Sequence, residues 1–111
     1  MKVIRSGEGL PYEAARHFGC WSARKVGPAE GAQRVSVSVS EFLPNGGAEM
    51  SSSDKERVYY VLRGELVVKD GSGNRHVLRQ DDMIYIPPGE KREIAVEGQT
   101  AARILVIMAD V

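Results

Sequence analysis

The sequence predicts an all-β fold, an antiparallel double sheet closed into a jelly-roll barrel. Three observations lead there. Helical periodicity is nearly absent, short apolar runs recur between turn residues, and the cleanest run alternates strictly in polarity. About ten such runs, with no segment long enough for crossover helices, can bury their apolar faces by pairing antiparallel.

Residues 1 to 27 read as an N-terminal arm. Within it, Pro11 to His17 has room for a helical turn or two, because Pro11 suits a first helical position and Ala14 and Ala15 are good formers. Phe18 and Trp21, next to His17 and Cys20, read as a strand or arm that covers the barrel mouth or packs on a partner subunit. Arg34 to Glu41 is the clearest strand. Val35, Val37 and Val39 alternate with Ser36, Ser38 and Ser40, so one face is buried while the other is wet or lines a polar space.

Pro44-Asn45-Gly46-Gly47 is expected to end that strand, since these residues tolerate turn backbone. Arg57 to Leu62 and Glu65 to Lys69 flank Arg63-Gly64, and Asp70 to Asn74 form a loose hairpin loop before Arg75 to Leu78. Met83 to Ile86 reads as a short buried strand stopped by Pro87-Pro88-Gly89. Glu93 to Val96 and Arg103 to Met108 complete the set.

Composition narrows the function classes. At 111 residues the chain reads as a single domain. Lys plus Arg and Asp plus Glu are equal at 15 each, and no basic run appears, so nucleic acid is not an expected partner. The apolar runs are too short for a membrane span, and the first residues lack an apolar signal core, so a soluble protein is expected. One cysteine, Cys20, excludes an intrachain disulfide and fits a reducing cytoplasm.

Two stretches carry a family resemblance: Val58-Tyr59-Tyr60-Val61-Leu62-Arg63-Gly64-Glu65-Leu66 and Asp82-Met83-Ile84-Tyr85-Ile86-Pro87-Pro88-Gly89. They resemble the two motifs of the cupin superfamily, and the likeness covers residues 33 to 108. It implies an RmlC-like double-stranded β-helix and a homodimer in which the arm packs across or exchanges between subunits. Against the family's pattern, the two histidine positions of the first motif fall on Ser51 and Ser53, or on Met50 and Ser52 with the longer spacing. The glutamate position falls on Arg57, beside Glu56. In the second motif Asp81 takes a glycine position and Arg92 the last histidine position.

Those substitutions bear on chemistry. A family-type metal would need imidazoles and a carboxylate converging at roughly 2.0 to 2.2 Å. Neutral serine hydroxyls are poor ligands, and a guanidinium stays protonated and repels a cation. No metal and no other cofactor is therefore expected. His17 and Cys20 have ligand-like spacing, but a lone pair of residues is a weak signal, and His76 is expected to face solvent.

Strict alternation would place Glu49, Ser51, Ser53, Arg57 and Tyr59 on the barrel interior, with Arg92, Ile94 and Val96 entering from the opposite sheet. Two guanidinium groups about 6 Å apart repel by about 3 kcal/mol at an effective dielectric of 20, so an anion should offset them. Three arrangements fit. A neighbouring glutamate (Glu49, Glu56, Glu90 or Glu93) plugs the site; or Arg57 and Arg92 form a fork for a carboxylate or phosphate; or the register is shifted and the arginines face solvent.

The leading functional expectation is a metal-independent barrel that binds a small anionic, carboxylate-bearing metabolite, accessory to small-molecule catabolism. Its expected ligand-binding residues are Arg57, Arg92, Ser51, Ser53, Tyr59 and Glu49, and no residue is singled out as catalytic. Two alternatives stand beside it. One is a metal-free isomerase or lyase on a carboxylated or sugar substrate, with Glu49 or Glu56 as base and Tyr59 as acid. The other is an atypical metal site drawn from Glu49, Asp54, Glu56 and His76.

Overall fold

The serine–valine alternation seeds the longest strand of the fold. In the computed structural model, which describes residues 1–109, it opens a strand that spans Val35–Ser51. Nine strands are described: β1 (Leu10–Tyr12), β2 (His17–Val26), β3 (Val35–Ser51), β4 (Glu56–Arg63), β5 (Leu66–Asp70), β6 (Arg75–Leu78), β7 (Met83–Ile86), β8 (Arg92–Ala95) and β9 (Ala102–Ala109). Their pairings are antiparallel, in the order β6-β5-β8-β3-β9-β4-β7, with β2 added to β3 and β1 to β2. The result is a nearly closed antiparallel barrel, as the strand pattern predicts.

Pro44 to Gly47 does not end the strand as expected. Instead β3 pairs with β9 over Val35 to Phe42, then with β8 from Gly47 to Ser51. The turn-forming residues make a corner by which one strand serves both sides of the barrel, and Asn45 takes a left-handed φ of 67° there. The expected helical turn near Pro11 is also absent. Leu10–Tyr12 pairs with β2, because burying backbone groups in a ladder outweighs weak local propensity. The described helical content is a 3₁₀ turn at Pro28–Glu30, so no described helix is long and apolar enough to cross a membrane.

The serine face of β3 turns inward. Ser38 and Ser40 are buried, whereas Val35 is 43% exposed. This selects the polar-lining alternative over a wet outer face. Met83 to Ile86 is likewise not wholly buried: Met83 and Tyr85 point out, and Ile86 points in.

Apolar side chains fill the lower half of the barrel. Val61, Leu66, Ala102 and Ile104 are fully buried there with Phe42 and Val96. Burial falls off toward the far ends of β4 and β9, from Val61 to Arg57 and from Ile104 to Met108. The barrel is thus plugged at one end and open at the other.

Turn chemistry holds the frame. Gly64 has φ 82°, and a Cβ there would lie 2.4 Å from the Ala101 carbonyl oxygen. Asp81 has φ 71°, so the position where the family pattern carries glycine keeps left-handed backbone here too. Its N–H donates to Val61 O at 2.8 Å, and its Oδ1 accepts from the Tyr60 hydroxyl at 2.8 Å.

Candidate functional site

The open end of the barrel is a cavity of about 440 Å³. Arg57 and Tyr59 reach it from β4, Arg92 from β8, Ser51 from the end of β3, and Arg16 and His17 from the arm. Phe42, Ile94, Ile104 and Val106 form its apolar floor.

The local ladders explain this convergence. Arg57 is paired with Met108 and Tyr59 with Val106 across β4 and β9, so alternate residues of both strands face inward together. Arg92 is paired with Ser51 across β3 and β8. Its Nε donates to the Tyr59 hydroxyl at 3.2 Å, and its Nη1 donates to Ser51 O at 3.0 Å. Tyr59 is buried and accepts from the guanidinium, which leaves its own O–H proton free to donate.

Charge at the cavity is unbalanced. Its lining holds three arginines and no Asp or Glu. Among the described residues none of Arg16, Arg57 and Arg92 has a carboxylate within 4.0 Å. Four arginines elsewhere have glutamate partners, Arg63 and Arg103 on Glu41, Arg75 on Glu97 and Arg79 on Glu65, whereas Arg5, Arg24 and Arg34 form no ion pair with a described residue. Arg57 Nε is buried and makes no hydrogen bond. An orphaned buried donor of that kind costs free energy unless something binds it. The glutamate plug is therefore not what the structure holds, since Glu93 pairs with Lys69 and no other carboxylate meets the two guanidinium groups.

Two expected site residues lie elsewhere. Glu49 is exposed and does not line the cavity. Between Ala48 and Ser51 the β3–β8 register shifts: three steps along β3 match two along β8, from Ile94 to Arg92. That bulge switches which residues face inward, from Ala48 before it to Ser51 after it, and leaves Glu49 outside. Ser53 follows the strand and caps a loop, its Oγ accepting from Lys55 N at 3.2 Å and its carbonyl from Gly89 N at 2.7 Å. Ser52 reaches the cavity lining in its place. Glu56 faces outward toward Tyr85, whose pKa is raised by desolvation first and by the Glu56 carboxylate second.

Arg16, His17 and Ser40 also line the cavity; the sequence weighs His17 only as a metal ligand and singles out neither Arg16 nor Ser40 for the site. The valine–serine alternation is a signal for Ser40. For the other two no local signal exists, because the arm reaches the mouth only through the β2–β3 pairing. His17 stacks on Phe42 with ring centroids 5.9 Å apart, and its Nδ1 donates to Ala15 O at 2.8 Å. Nδ1 thus carries a proton, so in the neutral ring Nε2 is the acceptor.

The residues present do not fit the metal that the family pattern implies. Guanidinium groups and serine hydroxyls occupy the ligand positions, and the orphaned Arg57 Nε calls for an acceptor rather than a cation. Among the described residues no three His, Cys, Asp or Glu side chains gather to hold an ion. Glu49, Asp54, Glu56 and His76 accordingly do not assemble as an alternative set. His76 instead bonds Asp70 Oδ2 at 3.2 Å on the surface.

Comparison with known proteins supports the same fold. Residues 38–108 match the cupin domain family. The chain is 34% identical over 110 residues to a Mycobacterium tuberculosis protein named beta-D-galactosidase Rv1717, covering 98% of this chain and 94% of that protein. Among solved structures, the polyketide cyclase RemF of Streptomyces resistomycificus superposes with a TM-score of 0.89 at 20% identity, over 98% of this chain and 79% of that one. A Thermotoga maritima protein described as a predicted oxalate decarboxylase gives 0.83 at 21%, over 99% and 100% of the two chains.

Proposed function

This chain belongs to the cupin family, and we propose that its barrel binds a small anionic, carboxylate-bearing metabolite without a metal. The observation that carries the reading is the cavity lined by Arg57 and Arg92 with no carboxylate of the described residues beside them. A guanidinium pair of this kind presents planar donors suited to a carboxylate or phosphate. The Ser51 and Tyr59 hydroxyls add donors, and Nε2 of His17 an acceptor, for a ligand that also carries hydroxyls, and the apolar floor receives its carbon skeleton.

Thermal melting of the purified protein with small carboxylates tests this. A carboxylate should raise the melting temperature, and Arg57→Ala and Arg92→Ala should each remove the rise. A rise that survives both changes, or stoichiometric iron, zinc, manganese or nickel in the protein, would count against the reading.

A second reading is turnover of a sugar or sugar acid, favoured by the 34% identity to a protein named as a galactosidase. The cavity lacks the carboxylate pair that most glycoside hydrolysis uses, and Glu49 and Glu56 lie away from it. An isomerase or lyase step would then use His17 as base and Tyr59 as acid. Conversion of a sugar or sugar acid to an isomer or an elimination product, followed by NMR and lost in His17→Ala, would favour this reading over binding alone.

We also propose that the protein is a cytoplasmic homodimer. Supporting this, the outer faces of β3, β9, β4 and β7 align apolar rows, Val37, Ile107, Val58 and Tyr85 beside Val39, Leu105, Tyr60 and Met83. Tyr85 and Met83 are 56% and 63% exposed, an apolar edge that a second copy would cover. Sedimentation of the wild type should give a dimer and that of Val37→Asp a monomer.

A further inference from the structure

We propose that the ligand of this cavity is a dianion whose second anionic group is held at the mouth by Arg16. The inference rests on the anion-binding reading above and extends it to the ligand's charge. Three features of Arg16 carry it.

Arg16 lines the same cavity as Arg57 and Arg92, and like them has no carboxylate partner among the described residues. A single negative charge leaves a lining of three guanidinium groups in excess, whereas two charges nearly balance it. Depth separates the three. Arg57 and Arg92 are half-buried within the barrel, while Arg16 is exposed at the rim. Two anionic groups on one carbon skeleton would match these two depths, one group at the half-buried pair and one at the rim.

The backbone at Arg16 is held in an uncommon conformation, with φ 61° for a residue that has a Cβ. Two hydrogen bonds fix the turn: His17 N donates to Ala14 O at 3.3 Å, and Glu49 N donates to Arg16 O at 3.0 Å. The second bond ties the arm to β3 just beside its bulge. Left-handed backbone at a non-glycine residue is retained where surrounding contacts over-determine it, and such residues gather at ligand clamps. Here it sets an arginine at the mouth of a cavity already short of negative charge.

The test compares anions by calorimetry on the full chain: acetate and gluconate with one anionic group, succinate with two carboxylates, and 6-phosphogluconate with a carboxylate and a phosphate. Arg16→Asn removes the charge while keeping a side chain that tolerates the left-handed backbone. In the wild type a dianion should bind about tenfold more tightly than the monoanions, and Arg16→Asn should erase that difference while leaving monoanion affinity in place. Succinate alone, or 6-phosphogluconate alone, showing the preference identifies the second group as carboxylate or phosphate. Equal affinities in the wild type, or a dianion preference that survives Arg16→Asn, overturn the dianion proposal while leaving the anion site intact. Failure of all four anions to bind overturns both.

Discussion

The Nε of Arg92 donates to the hydroxyl of Tyr59 at 3.2 Å, joining β8 to β4 across the open end of the barrel. The bond links two opposed walls and sets the direction in which the guanidinium presents its remaining donors. Tyr59→Phe removes the acceptor and leaves a charged donor unmet in a partly buried place. Stability should fall by about 1–2 kcal/mol, and affinity for carboxylates should fall several-fold. Urea denaturation and calorimetry on the same variant read the two effects. Unchanged binding would show that Arg92 is oriented without Tyr59.

Arg57 carries the opposite expectation. Its buried Nε lacks a partner, so the fold leaves one donor of this guanidinium unsatisfied. Arg57→Met keeps the stem and removes the guanidinium. The variant should be more stable than the wild type by about 1 kcal/mol, a rise of roughly 4–8 °C in a domain of this size, and should lose stabilisation by anions. A lower melting temperature would mean that Arg57 is structural.

Gly64 ties the turn after β4 to the chain entering β9. Gly64→Ala meets both a left-handed φ and a carbonyl oxygen at 2.4 Å, so it should cost about 1–3 kcal/mol or more in chemical denaturation. Gly73→Ala, at φ 85° with no atom near its added Cβ, should cost less, which separates clash from backbone strain.

The Asp70 loop gives a pH signature. The His76 ring, then Asn74 and Ser72, bond the Asp70 carboxylate and hold its pKa below the ordinary carboxylate value. A carboxyl with a depressed folded pKa stabilises fully above its unfolded pKa of about 3.9, and that share is lost as pH falls through the folded value. The stability gap between wild type and Asp70→Asn should therefore be widest near neutral pH and close below about pH 4. A gap that stays constant into acid would mean that the charge of Asp70 plays no part.

Much of the frame was legible before any coordinates. The boundaries of β6 and β7 follow from the turn residues around them, and the barrel follows from the number and spacing of the short strands. Arg57 and Arg92 were legible as unusual because a family pattern gave their positions meaning. The outward turn of Glu49 was not, because a bulge one residue long changes side-chain parity without leaving a mark in composition. His17–Val26 was legible only as a strand or arm, without bounds or partner, because its stability comes from pairing with β3, some twenty residues away in sequence.

By itself, then, the sequence determined the barrel and the exchange of metal-type ligands for serine and arginine. These rest on short-range terms: alternation, turn residues, and the chemistry of a side chain at a given place in a motif. Tertiary structure alone decided that no carboxylate of the described residues meets those arginines and that Arg16 and His17 share their cavity. Both depend on which distant strands share a wall, and only long-range pairing fixes that.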